Sequence, residues 1–170
     1  MLVGIDPSIK TVGFAVLDDS GLRTCTFRLQ GESLVERLES LRLKFRIHLG
    51  NSKPDVIVCE FPSYQDSERG RIAAVSGDTL GLAAVCGFVA YHFRGCKMIL
   101  FPTPREWKGT VKKHVTARRF GKWTGVPEER YPLDHETDAA MMIRWAMPRV
   151  AVLLSPSLIG KIQGVTWRSA

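Results

Sequence analysis

Met1-Leu2-Val3-Gly4-Ile5-Asp6-Pro7-Ser8-Ile9-Lys10-Thr11-Val12-Gly13-Phe14-Ala15-Val16-Leu17 is the stretch on which the fold turns. The apolar runs Leu2–Ile5 and Val12–Leu17 read as strands, with a turn at Asp6-Pro7-Ser8 between them and Gly13 interrupting the second. Asp18-Asp19-Ser20-Gly21 is another turn signal, and Leu22–Leu29 alternates as a third strand does. Together these segments predict an antiparallel meander. The first strand ends on an acid, Asp6.

Downstream, Ser33 and Glu36 form an S-x-x-E capping box ahead of a helix. Leu34, Leu38, Leu41, Phe45 and Leu49 recur at spacings of three and four, one apolar stripe ended by Gly50-Asn51. Asp55–Cys59 is a short continuous apolar strand of the kind buried on both faces. A polar loop over 61–70 leads into a long helix from about Arg71 to Phe93. Its glycines, Gly77, Gly81 and Gly87, permit close packing. Met98–Phe101 is a fifth strand, closed by Pro102 and Pro104. The basic segment that follows is partly helical, and a last helix runs from Thr137 to about Trp145, stopped by Pro148. The tail after Pro156 shows no clear pattern. This order predicts an α/β fold, a five-stranded mixed sheet with helices on both faces, in a single domain over residues 1–170.

The 170 residues are 45% hydrophobic and 24% charged, an ordinary globular balance. No apolar run approaches the roughly 18 residues of a membrane span, so no membrane partner is expected. No leader pattern is visible, and a cytoplasmic setting is the simplest expectation. Cys25, Cys59, Cys86 and Cys96 form no Cys-x-x-Cys pair and lie in or beside apolar segments, as buried reduced thiols do. The net charge of +7 favours a polyanionic partner. Arg105, Lys108, Lys112, Lys113, Arg118, Arg119 and Lys122 concentrate that charge, with Glu106 the one acid among them. A solvated basic helix face is the alternative reading of this run.

Three carboxylates stand at special positions. Asp6 ends the first strand and Glu60 directly follows Val56–Cys59. Asp138 lies in the first turns of the last helix, on the side of Met142 and Trp145. A carboxylate on an inward face is costly unless paired or bound to a cation. If the strands carrying Asp6 and Glu60 are adjacent, both acids point to one place, and the last helix can bring Asp138 there. Such a cluster suits a hard divalent ion such as Mg²⁺, with Mn²⁺ as a substitute, and two ions suit phosphodiester cleavage. His135, three residues before Asp138, shares its helical face and is a candidate ligand or proton carrier. Each residue also has a plainer reading: Asp6 as a turn former, Glu60 as a solvated strand end, Asp138 as a helix-dipole partner, and Asp134 as the N-cap of the last helix.

Gly4-Ile5-Asp6-Pro7-Ser8 followed by Thr11–Val16 resembles the opening motif of the RuvC Holliday-junction resolvases, of the ribonuclease H-like superfamily. Val56-Ile57-Val58-Cys59-Glu60 resembles their second motif, and His135-Glu136-Thr137-Asp138-Ala139-Ala140 their last. The motifs span residues 4–140 in the family's order. The resemblance implies a ribonuclease H-like fold and metal ligands at Asp6, Glu60, Asp138 and His135, all four catalytic. It implies a Mg²⁺-dependent endonuclease acting on branched DNA, the four-way junction, as a homodimer that makes two symmetric nicks. The helix after the second motif is similar to the family's dimer helix. The resemblance implies an aromatic in the loop after Glu60 that wedges into the junction, with Phe61 and Tyr64 the candidates and a core role the alternative for Phe61. Pro104-Arg105-Glu106-Trp107-Lys108 resembles a family segment whose lysines contact DNA, and Lys112 and Lys113 resemble the next ones. With Arg105, Arg118 and Arg119 they make the expected DNA-binding set. The chain departs from the pattern at Ser8, usually Gly, at Trp107, usually small and β-branched, and in a shorter spacer between the lysines. With the resemblance, these departures suggest a divergent or phage-encoded member, expected in the cytoplasm of a bacterial or phage-infected bacterial cell.

Sugar kinase and actin-like ATPases share a strand-Asp-loop-strand opening, but they need two such domains and a Gly/Thr-rich loop that Pro7-Ser8-Ile9-Lys10 does not provide. A junction binder without chemistry, or another ribonuclease H-like nuclease, are the remaining alternatives.

Overall fold

The computed structural model describes residues 1–62, 77–161 and 164–169. Strands β1 (Leu2–Asp6), β2 (Thr11–Asp18) and β3 (Gly21–Arg28) come first, followed by helix α1 (Leu34–Leu49), β4 (Val56–Cys59), helix α2 (Asp78–His92) and β5 (Met98–Leu100). Helices α3 (Pro104–Trp107), α4 (Lys113–Thr124), α5 (Asp134–Ala146) and α6 (Pro156–Gly160) lead to a last strand, β6 (Trp167–Ser169).

β1, β2 and β3 pair antiparallel, the meander expected of the opening stretch. β4 joins β1 in parallel and β5 joins β4, giving the order β5-β4-β1-β2-β3-β6. The architecture is the expected mixed sheet with helices on both faces, with six strands rather than five. The extra strand comes from the tail, where three residues are too few for an alternating pattern to register. It pairs in parallel with β3 and covers an edge that would otherwise be open.

Strand alternation sorts the core into two layers. Val3, Ile5, Val12, Phe14, Val16, Ile57 and Cys59 face α1 and α2, meeting Leu41, Phe45, Leu49, Val85 and Val89. Leu2, Ala15, Leu17, Val56 and Val58 face α5 and α4, meeting Ala139, Met142, Ile143, Ala146, Phe120 and Trp123. α1 starts as its capping box requires: Glu36 N donates to Ser33 Oγ at 3.2 Å and Ser33 N to a Glu36 carboxylate oxygen at 2.9 Å. Cys25, Cys59 and Cys86 are buried and Cys96 is partly so, all as free thiols.

Two helix starts differ from expectation. The second helix was expected from about Arg71, but residues 71–76 lie outside the described residues, and the described helix begins at Asp78. The last helix begins at Asp134 rather than Thr137, and Asp134 is not its N-cap. Leu133 precedes the helix, no side chain caps it, and Asp134 pairs with Lys113 at 2.9 Å. In the first turn an acid is already favoured by the helix dipole, and a full positive charge within reach competes with a capping geometry. No described helix is long and apolar enough to cross a membrane.

Candidate active site

Asp6 and Glu60 meet because of strand parity and register. Along β1, Leu2, Gly4 and Asp6 point to the α5 side; along β4, Val56 and Val58 do so, and Glu60 is next in that series. Ile5 is registered with Cys59, and Glu60 N donates to Ile5 O at 3.0 Å. The two acids therefore end neighbouring parallel strands at the same edge of the sheet.

Helix α5 brings the other two residues. It lies so close to the sheet that a Cβ on Gly13 would sit 2.1 Å from His135 O, and one on Gly4 would sit 2.1 Å from Ala139 O. Only glycine leaves room for the helix backbone at these two points. At that depth His135 Nδ1 lies 2.5 Å from Asp6 Oδ2. Asp138, one turn on, accepts from Lys108 Nζ at 2.8 Å, and the same ammonium lies 4.0 Å from Glu60. Trp107 Nε1 donates to Glu60 at 2.6 Å, and its ring carries the Lys108 ammonium 4.7 Å from the centroid.

The electrostatics are those of crowded acids. Burial, then the Asp6 carboxylate, pushes the Glu60 carboxyl up to about 7, with Lys108 and the Trp107 hydrogen bond opposing. Burial likewise raises Asp138 above the usual carboxylate range, against the pull of Lys108. The hydrogen bond to Asp6 raises His135, ahead of the opposing effect of its own burial. Burial lowers Lys108, but its hydrogen bond and charge interaction with Asp138, aided by Glu60 and Asp6, leave it above its ordinary value. The site as a whole holds more negative charge than water-poor surroundings favour, and Lys108 is the group that compensates it.

The sequence-expected residues divide into three groups. Asp6, Glu60, His135 and Asp138 come together, with Lys108 among them. Lys113 reaches Asp134, one turn before Asp138, while Arg105, Lys112, Arg118 and Arg119 are exposed on or at the ends of α3 and α4. Phe61 packs edge-on against Phe101 at 6.2 Å and keeps 41% of its surface exposed. Tyr64 lies outside the described residues. Two residues of the site were not expected. Trp107 was visible only as a departure from a motif, and its indole proves to hold Glu60. Glu136, inside the last motif, is buried and accepts from Thr24 Oγ1 at 2.8 Å and Thr26 Oγ1 at 3.0 Å. It ties α5 to β3, and Trp167 of the tail strand donates to the same Thr24 at 2.9 Å. No local pattern marks a glutamate for that task.

Trp107→Phe tests the indole contact. The ring volume is largely kept while the donor to Glu60 is lost, so the rate of any reaction using Glu60 should fall about tenfold, as for a lost partner of a metal ligand. Single-turnover rates and melting curves measured together check this. A rate equal to the parent's would mean that Glu60 needs no such support.

The donor set suits a hard divalent cation. Three carboxylates supply oxygens and the imidazole supplies nitrogen, and burial together with the Asp6 charge disfavours ionised Glu60 unless a cation joins it. Among the described residues, no three His, Cys, Asp or Glu side chains converge in ready ligand geometry. Lys108 stands between Asp138 and Glu60 instead.

No protein-family model matches the sequence. No curated protein matches it either. Solved structures do match in shape. A Thermus thermophilus RuvC in complex with a Holliday junction substrate superposes with a TM-score of 0.59 at 21% identity, over 89% of this chain and 94% of that one. Another Thermus thermophilus RuvC structure gives 0.53 at 20% identity, over 89% and 95%. The yeast mitochondrial Holliday junction resolvase Ydc2 gives 0.53 at 16% identity, over 89% and 81%. The six-stranded mixed sheet with α5 laid across β1 and β2 is thus a RuvC-like, ribonuclease H-like fold.

Proposed function

We propose that the protein is a metal-dependent endonuclease that resolves four-way DNA junctions by paired nicks. The observation that carries this reading is the meeting of Asp6, Glu60, His135 and Asp138, drawn from three separate segments, next to a run of exposed cations. The likeness in shape to a RuvC that was solved with a Holliday junction supports the substrate.

Asp6, Glu60 and Asp138 would hold Mg²⁺, or Mn²⁺ in its stead, with His135 as a fourth ligand or a proton carrier. The ions, when bound, supply an activated water and a Lewis acid for the leaving oxygen. The chain's own residues do the rest. Trp107 fixes the Glu60 carboxylate, Glu136 anchors the helix that carries His135 and Asp138, and Lys108 keeps a positive charge beside the acids. Exposed Arg105, Lys112, Arg118 and Arg119 suit phosphates flanking the cut, and Phe61 keeps the exposed ring that a wedge requires.

Two opposed cuts need two sites in two-fold relation. α2 supports a homodimer. Leu80, Ala84, Gly87 and Tyr91 recur at helical spacing on one face, where Leu80 is 76% and Tyr91 67% exposed. The opposite side buries Val85, Cys86 and Val89.

The test is a synthetic four-way junction beside a matched linear duplex, with and without Mg²⁺. Symmetric paired nicks are expected in the junction alone and only with the ion. Equal cutting of the duplex, or none of the junction, would refute the assignment. A Gly87→Arg variant belongs in the same experiment. A Cβ at position 87 meets nothing within 4 Å, so the subunit should fold, sediment as a monomer and leave mostly single nicks.

A further inference from the structure

Between α3, α4 and α5 lies an open cavity of about 440 Å³. Its wall includes Arg119 and Lys122 from α4, Arg144 and Trp145 from α5, and Trp107 and Lys108 from α3 and its end. The last two also belong to the acid cluster, so the cavity adjoins it directly. The acids themselves do not line the cavity.

Charge and shape point to one kind of occupant. Arg119, Lys122 and Arg144 make no salt bridge among the described residues, whereas Lys108 and Lys113 of the same region do. Three like charges around one concavity repel unless an anion joins them, and guanidinium groups suit phosphate oxygens in pairs. The indole of Trp145 adds an apolar wall, and Arg149, which is not part of that wall, stacks on the same ring at 4.0 Å from its centroid. Cations beside an aromatic surface are the recurring features of sites for single-stranded nucleic acid, where the groove follows the backbone and a ring receives a base. The volume is within the usual range for a small-ligand pocket and far too small for a duplex. A base can enter such a space only when it has left its stack.

We infer that this cavity binds one unpaired nucleotide of the DNA strand next to the cut, its phosphate on Arg119, Lys122 and Arg144 and its base against Trp145. The inference rests on the proposed junction nuclease, whose substrate has a branch point where stacking is interrupted. Lys122, Arg144 and Trp145 thereby join the substrate-binding surface.

The experiment titrates the whole protein with the 5′-phosphorylated dinucleotide pTpT, following tryptophan emission, and with inorganic phosphate as the comparison. The parent and a Lys122→Gln/Arg144→Gln variant are compared, with melting curves to confirm folding. We expect pTpT to bind the parent about tenfold or more tighter than phosphate, and the variant to lose about tenfold in pTpT affinity. A junction carrying 2-aminopurine at positions flanking the nick should show an emission change at one position with the parent and lose it with the variant. Equal affinity of parent and variant for pTpT, or pTpT binding no tighter than phosphate, would overturn the inference. If the parent leaves junctions uncut, the nuclease reading fails, and the dinucleotide titration still decides the cavity on its own.

Discussion

Glu60→Gln should lower junction cleavage by roughly 10³-fold or more, the loss of several kcal/mol of transition-state stabilisation, while leaving junction binding near the parent's level. The change removes one charge and one of the oxygens proposed to hold the metal, but keeps an acceptor for the Trp107 indole, which donates to Glu60 at 2.6 Å. Quantitative cleavage and gel-shift assays check both halves, and a variant that cuts at the parental rate would remove Glu60 from the site.

The same substitution should stabilise the metal-free protein. The Glu60 carboxyl is pushed up to about 7, so its ionised form is disfavoured in the folded state. An acid whose folded pKa is raised contributes stability while protonated, and that contribution is lost as pH rises from its ordinary 4.5 through about 7. His135 acts in the same direction. Its raised pKa favours the folded cation, whose contribution is present below the ordinary 6.5 and lost as pH climbs through the folded value. Without divalent ions the parent should therefore melt progressively lower as pH goes from about 5 to 8. Glu60→Gln should flatten this decline and raise the melting temperature at pH 8 by roughly 3 °C or more. A parent that is most stable at pH 8 in EDTA would show that the acids are not in conflict.

Gly13→Ala should cost about 3 kcal/mol or more, at or beyond the top of the range for overpacking, because the added methyl meets rigid backbone and not a pliable side chain. Its Cβ would lie 2.1 Å from His135 O and 2.4 Å from His135 C, so either α5 lifts or β2 yields. Gly4→Ala meets the same helix four residues further on, at Ala139 O, and should behave alike. The two effects should be less than additive, since one displacement of α5 relieves both clashes. Lifting α5 also carries His135 away from Asp6 and Asp138 away from Lys108, so any folded fraction of Gly13→Ala should cleave poorly. Denaturant unfolding and cleavage per folded molecule measure the two consequences separately. A variant of parental stability would mean that α5 does not lie where its backbone meets β2.

Much of this molecule could be read locally. Apolar runs bounded by turn signals announce β1, β2 and β4, and alternation announces β3, because both patterns are carried by neighbouring residues alone. The capping box at Ser33 and Glu36 marks α1 for a similar reason, since its donors and acceptors lie within four residues of one another. Asp6, Glu60 and Asp138 were conspicuous as acids where apolar neighbours make a charge expensive, and the helical spacing of His135 and Asp138 put them on one face.

Tertiary structure decided what depends on distant partners. Trp107 reaches Glu60 across 47 positions of chain, Lys108 reaches Asp138 across 30, and Glu136 reaches Thr24 across 112. An indole, an ammonium and a carboxylate look the same in sequence whether they meet water or one another, so their pairing emerges only when helices settle on the sheet. β6 is three residues long and gains its identity from the exposed edge of β3. Gly13 reads in the sequence as an interruption of a strand; its purpose, room for the carbonyl of His135, exists only once α5 lies across it.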